Sequence, residues 1–175
     1  MDLLGEEVRE RPKALAAADE YGRMLDAIAE RKLDANISVK LSALGLKIDE
    51  RFCSENLDRI AAAARRHGNF VRVDMEDAST TDATLRLYRE VQARHGNLGV
   101  VFQAYMRRTL SDIAALPETG ANVRLCKGIY VEPADIAYQG KEAVRFAFVE
   151  AMAALWEGGA KVAVATHDEW LVAEA

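Results

Sequence analysis

Val123-Arg124-Leu125-Cys126-Lys127-Gly128-Ile129-Tyr130-Val131-Glu132-Pro133 is the stretch that decides how this chain is read. It begins as an apolar run broken by one arginine, turns at Gly128 and reaches Pro133, a residue suited to the first turn of a helix. A short strand that carries a charge near its carboxyl end and opens onto a helix is how (β/α) barrels build active sites. The sequence before it repeats that plan.

Short apolar runs rich in Val, Ile or Leu recur at residues 2–4, 36–41, 70–75, 98–103, 122–126 and 161–166, bounded by Gly, Asn or Asp as buried parallel strands are. Stretches of helical period lie between them. Leu15, Ala18, Tyr21, Leu25 and Ile28 form one apolar stripe; Leu57, Ile60, Ala61 and Ala64 a second; Leu85, Tyr88 and Val91 a third. Ser79 suits an N-cap with Asp82 three residues on, and Thr109 with Asp112 makes a similar start for a helix that Pro117 closes. Val144, Phe148, Met152 and Leu155 stripe a later helix that Gly158-Gly159 ends. Strand and helix alternate throughout, so the class is α/β with a parallel sheet.

A (β/α) barrel of about 250 residues spends roughly 31 on each of its eight units. At that rate the 175 residues hold five units and a sixth strand, a partial (β/α)8 barrel in a single incomplete domain over 1–175. The chain ends inside a helix at Leu171-Val172-Ala173-Glu174-Ala175, which predicts a piece of something longer.

Half the residues are hydrophobic and 29% are charged, a soluble globular composition. A formal charge of −5 argues against a nucleic-acid partner, and no run of apolar residues is long enough for a membrane-spanning helix. Cys53 and Cys126 have neither disulfide-framework nor zinc spacing, so they read as buried thiols in a reducing cytoplasm.

Side chains alternate faces along a strand, so parity tells which residues share a wall. In Val71-Arg72-Val73-Asp74-Met75-Glu76 the apolar residues face one way and Arg72, Asp74 and Glu76 the other. Lys40, Gln103 and Arg124 oppose the apolar set in their own strands. Four strands therefore bring Lys40, Asp74, Gln103 and Arg124 toward one rim. Two cations, a carboxylate and an amide are costly to bury without partners, so the pattern points to a site for a polar anion.

Each of these has a plainer reading. Lys40 pairs with Asp74 on the neighbouring strand, and Arg124 makes a structural ion pair. Lys127 holds a phosphate, forms a Schiff base or reaches out to water. His167 is a loop residue, Asp168 an N-cap, and His67 and His95 sit at helix ends. Arg65, Arg66, Arg86 and Arg89 read as solvated surface. Glu76 and Asp77 lack any His/Asp constellation at ligand spacing, so no metal is expected.

The segments Ser38-Val39-Lys40-Leu41-Ser42, Arg72-Val73-Asp74-Met75-Glu76-Asp77, Gln103-Ala104-Tyr105, Arg124-Leu125-Cys126-Lys127-Gly128 and Ala165-Thr166-His167-Asp168 resemble, in order and over the whole chain, the bacterial proline dehydrogenase family. The resemblance implies a distorted (β/α)8 barrel that holds FAD and oxidises L-proline to Δ1-pyrroline-5-carboxylate. Electrons would pass to a quinone, as the first step of proline breakdown to glutamate. It implies a cytoplasmic protein in peripheral contact with the inner membrane face, with a pyrroline-5-carboxylate dehydrogenase as a partner.

Residue by residue, the resemblance makes Lys40 a contact for the proline carboxylate and places Asp74 among the catalytic groups. Met75 and Gln103 would contact FAD, and Arg124 would sit beside the flavin nitrogen that accepts the hydride. Lys127, Gly128 and Ile129 would line the ribityl and phosphate region, with Thr166 and His167 further out. The family's paired arginines, which clamp the substrate carboxylate, belong to strands beyond this chain. Two other readings stay open at this level: a Schiff-base aldolase using Lys127, and a truncated barrel without activity.

Overall fold

The computed structural model describes residues 1–3, 5, 7–116 and 120–175. They form two compact units, Met1–Gly99 and Val100–Ala175.

The first unit opens with α1 (Arg11–Glu30), where a proline in the first turn gives up an N–H that would have had no helical partner. Its buried stripe is Ala14, Ala18, Tyr21, Leu25 and Ile28. β1 (Ile37–Val39) leads to α2 (Glu50–Arg66), whose N-cap Asp49 accepts from the Phe52 amide at 2.7 Å. β2 (Val71–Val73) then leads to α3 (Thr81–His95), which closes on Gly96 in the left-handed region at φ 71°. β1 and β2 pair in parallel, with Ile37 opposite Val71, Ser38 opposite Arg72 and Val39 opposite Val73. α1 packs on α2 and α2 on α3, so the stripes predicted for all three helices, Leu15 excepted, meet in one core.

β3 (Leu98–Gln103) runs from the end of the first unit into the second. There α4 (Thr109–Ala114), β4 (Asn122–Cys126), α5 (Lys141–Glu157), β5 (Lys161–Ala165) and α6 (Glu169–Glu174) follow. β4 pairs in parallel with β3 on one side and β5 on the other. α5 covers β4 and β5 through Ala147, Phe148, Ala151, Met152 and Leu155 and also packs against α4 and α6.

Several local expectations change. Asp2 and Leu3 form no strand, although the Met1 carbonyl accepts from the Ser38 amide at 2.8 Å; Leu4 lies outside the described residues. Leu15 is 39% exposed and Ala14 heads the stripe in its place, because at about 100° per residue position 14 falls in line with Ala18, Tyr21, Leu25 and Ile28 while position 15 lies to the side. Thr80, not Ser79, precedes α3, since Ser79 is engaged by Asp77 through both its amide and its hydroxyl.

Thr109 is the first residue inside α4, not its cap, and its hydroxyl donates to the Gln103 carbonyl at 2.6 Å. Pro117 lies outside the described residues. Pro133 opens a single turn, with Ile136 and Ala137 amides donating to its carbonyl, and α5 begins only at Lys141. Val144 and Arg89 are half-buried, and Cys53 is buried while Cys126 is half-buried. No helix among the described residues is long and apolar enough to cross a membrane.

The stripe of α1 gives a direct check by urea unfolding. Leu25→Ala, at a fully buried position, should cost about 2–5 kcal/mol. Leu15→Ala should stay within about 0.5 kcal/mol of the parent.

Candidate active site

In the first unit the ladder carries Lys40 and Asp74 one residue beyond their strands. The Asp74 amide donates to the Val39 carbonyl at 2.9 Å, so the pairing continues past Val73. By alternation Lys40 and Asp74 lie on the side of Ser38 and Arg72, which face each other across the ladder. Unlike a one-sided strand, β2 and the residues after it are buried on both sides, with Arg72, Asp74 and Glu76 as inaccessible as Val71, Val73 and Met75.

Lys40 has a carboxylate at hand that parity did not supply. Its ammonium lies 3.2 Å from Asp2 Oδ2, while Asp2 Oδ1 accepts from the Tyr21 hydroxyl at 3.0 Å. Burial pushes the Tyr21 phenol well above its ordinary value, with the negative charges of Asp2 and Asp74 adding to the effect. Glu76 is the residue that reading the sequence undervalued. Its Oε1 accepts from the Ser42 amide at 2.9 Å and its other oxygen from the Ser42 hydroxyl, which fixes the turn after Lys40. Asp77 accepts from Ser79 and from Lys47, and these contacts, the Ser79 hydroxyl first, lower its carboxyl.

In the second unit the register decides which side chains are neighbours. Val101 stands opposite Arg124 and Gln103 opposite Cys126; Arg124 in turn faces Ala163 and Cys126 faces Ala165. Gln103 and Arg124 therefore share a face, as parity predicts. The next strand puts only methyl groups beside them. Along β4, Val123 and Leu125 are buried while Asn122, Arg124 and Cys126 are half-buried, the alternation of a strand with one open side.

The loop after β4 is held from underneath by Tyr105. Its amide donates to the Lys127 carbonyl at 2.9 Å, and its hydroxyl to the Tyr130 carbonyl at 3.0 Å. Gly128 lies across that ring at φ 114°, where a Cβ would come within 2.2 Å of the ring carbon Cδ1. Only glycine fits both demands. Burial pushes the Tyr105 phenol up to about 12, with the charge of Glu132 contributing next. Ile129 points away from this support and is 86% exposed.

Lys127 does not run free into water. Its ammonium sits 2.6 Å from Asp168 Oδ2. Arg145 grips the same carboxylate with both ends of its fork, Nε to Oδ2 at 3.0 Å and Nη2 to Oδ1 at 2.6 Å. Arg145 first and Lys127 second hold the Asp168 carboxyl far below the usual carboxylate range. Asp168 also caps α6 as expected, accepting from the Trp170 amide at 3.2 Å, and its own amide donates to Thr166 Oγ1 at 3.1 Å. His167 is exposed. No local signal in the sequence could have found this cluster, because Lys127, Arg145 and Asp168 come from three different elements.

The sequence profile of the family described as Proline dehydrogenase matches residues 1–169. The chain belongs to the proline dehydrogenase family. It is 34% identical over 173 residues to Proline dehydrogenase 1 of Bacillus subtilis, an alignment covering 99% of this chain and 57% of that protein. It is also 34% identical over 177 residues to Proline dehydrogenase of Deinococcus radiodurans, covering 98% of this chain and 57% of the relative.

The fold is similar to that of proline utilization A (PutA) from Bdellovibrio bacteriovorus inactivated by N-propargylglycine, with a TM-score of 0.89 at 23% identity over 99% of this chain and 23% of that one. It is likewise similar to a PutA structure with proline bound in remote sites, at a TM-score of 0.86, 23% identity, and 99% and 22% coverage. The expected α/β architecture, part of a (β/α) barrel, is borne out at the level of fold. The chain spans little more than half the length of the curated relatives it matches.

Two outcomes test this geometry. Gly128→Ala should lose at least about 1 kcal/mol in urea unfolding, from backbone strain alone; the added Tyr105→Ala should return only the part due to the ring. The Asp168 carboxyl is lowered in the folded chain, so its stabilisation is present above the unfolded value of about 3.9 and fades as pH falls below it. The melting-temperature advantage of the parent over Asp168→Asn should accordingly shrink between neutral pH and pH of about 3.

Proposed function

We propose that this chain carries the flavin-side half of an enzyme that oxidises L-proline to Δ1-pyrroline-5-carboxylate with FAD as cofactor. The observation that carries the reading is the face shared by Gln103 and Arg124 in β3 and β4, with only Ala163 and Ala165 beside them in β5. On its β5 side this face carries nothing larger than a methyl group, which leaves room there for a flat ring beside Arg124. The fit extends to the loop, where Gly128 lying across the Tyr105 ring holds the backbone in place and Lys127 supplies a positive charge. FAD, when bound, would supply the electron-accepting chemistry and pass electrons to a quinone.

The chain's own residues bind, orient and counter charge. Arg124 offers a guanidinium that stays charged at any working pH, suited to negative charge that develops during reaction. Gln103 offers an amide with both donor and acceptor, and its backbone is fixed by Thr109. Met75 contributes a buried, polarisable wall. Lys127, Gly128 and Ile129 line the ribityl and phosphate region, and Thr166 and His167 lie further out. Lys40 would bind the proline carboxylate in exchange for Asp2, and Asp74 would orient it. The family relationship supports this assignment of roles.

Residues 1–175 are, on this reading, one incomplete barrel domain. The reaction belongs in the cytoplasm at the inner membrane face, where a quinone is within reach. A pyrroline-5-carboxylate dehydrogenase would consume the product.

Purified protein should be yellow, and proline should bleach its visible flavin bands; a colourless protein that borohydride links to a carbonyl compound at Lys127 would favour the aldolase reading. In an active preparation Arg124→Ala should lower kcat about a hundredfold, more than it changes KM. Lys40→Ala should raise the KM for proline about tenfold, the loss of a charged hydrogen bond, at nearly unchanged kcat.

A further inference from the structure

The cluster on Asp168 holds two cations on one carboxylate, and the two are held very differently. Arg145 contacts both carboxylate oxygens, lies over the Trp170 ring at 5.4 Å and meets Glu142 at 3.4 Å. The Lys127 side chain has one partner among the described residues, Asp168. The carboxylate is nearly inaccessible, at 5% exposed, whereas the Lys127 side chain is 32% exposed. If Lys127 leaves, Asp168 remains neutralised by a two-point guanidinium fork and still caps α6. If Asp168 stays put, Lys127 can turn outward at no cost of a stranded charge. Arg145 is the fixed counter-ion and Lys127 the exchangeable one.

We propose that Asp168 is a resident anion that occupies Lys127 until a phosphate-bearing ligand takes its place, Lys127 being handed from the carboxylate to the phosphate while Arg145 keeps Asp168 paired. A lysine ammonium binds phosphate as a compact point charge with three donors and is not tied to one geometry, which suits it to the exchange. Asp168 thus sets the affinity and the anion selectivity of the site, because any ligand must replace one negative charge at Lys127 with another. A neutral ligand gains nothing from the exchange. This rests on the reading of Lys127 as facing an anionic ligand.

Two roles for Asp168 predict opposite results. A carboxylate that merely positions Lys127 weakens ligand binding when it is removed; one that competes for Lys127 strengthens it. Asp168→Asn removes the charge but keeps a side chain that caps a helix as well as aspartate does, and Asp168→Ser is a second capping variant should the first not fold. The full chain, the two variants, Lys127→Gln and the double variant Lys127→Gln/Asp168→Asn are titrated calorimetrically with inorganic pyrophosphate, and by fluorescence quenching with FAD. All titrations are run well below the melting temperature of each protein.

The expected result is that Asp168→Asn binds pyrophosphate about fivefold or more tighter than the parent, a coupling of ordinary size. The gain should vanish in the double variant. Equal or weaker binding in both capping variants overturns the hand-over, as does a gain that survives without Lys127, or the absence of pyrophosphate binding in every protein. The two ligands separate this proposal from the flavin reading. A pyrophosphate gain with no FAD uptake upholds the exchange and removes the flavin; FAD uptake unchanged in affinity by Asp168→Asn does the reverse.

Discussion

Parallel strands aligned without a slip put every second side chain on the same wall, and the candidate site is a consequence of that constraint. A shift of one residue between β3 and β4 would send Arg124 to the opposite face from Gln103 and put Leu125 in its place. What fixes the register is the burial of Val100, Phe102, Val123 and Leu125, which have no other place to go. The hydrophobic half of each strand therefore sets where the polar half points. Ala163 and Ala165 in β5 extend the same wall and leave space on it.

Charge placement follows a second rule, that a carboxylate removed from water needs partners on each oxygen. Glu76 meets it with the amide and hydroxyl of one serine, and in doing so stiffens the turn that follows Lys40. Asp168 meets it with an arginine fork, a lysine and a backbone amide, and joins the ends of β4 and β5 to α5. Both are structural tasks carried out within reach of residues expected to touch ligand. Structural and functional roles are not alternatives at such positions. The same carboxylate that caps α6 also determines how available Lys127 is.

The loop after β4 shows how an aromatic ring substitutes for secondary structure. Tyr105 donates twice to that loop and lays its ring against Gly128, so the chain there needs no helix to be held in place. Beyond it Pro133 begins only a single turn, and α5 starts at Lys141, later than the sequence suggests. Proline fixes one backbone angle, which is as compatible with a turn as with a helix.

Sequence alone determined the alternation of strand and helix, the five strands from Ile37 onward, the buried stripes of α2 and α3, that of α1 from Ala18 on, and the shared face of Gln103 and Arg124. All of these follow from periods of 2 and 3.6 in apolar residues, which are local properties of a chain. It also determined the family, because the motifs at the strand ends stand in the right order. Tertiary structure decided what periodicity cannot carry: that Asp2 answers Lys40, that Glu76 holds Ser42, and that Asp168 gathers Lys127 and Arg145. Those partners lie 34 to 41 residues apart along the chain, except Arg145, which is 23 from Asp168. Ion pairs and hydrogen bonds between side chains have no period and leave no trace in the sequence until folding brings their elements together.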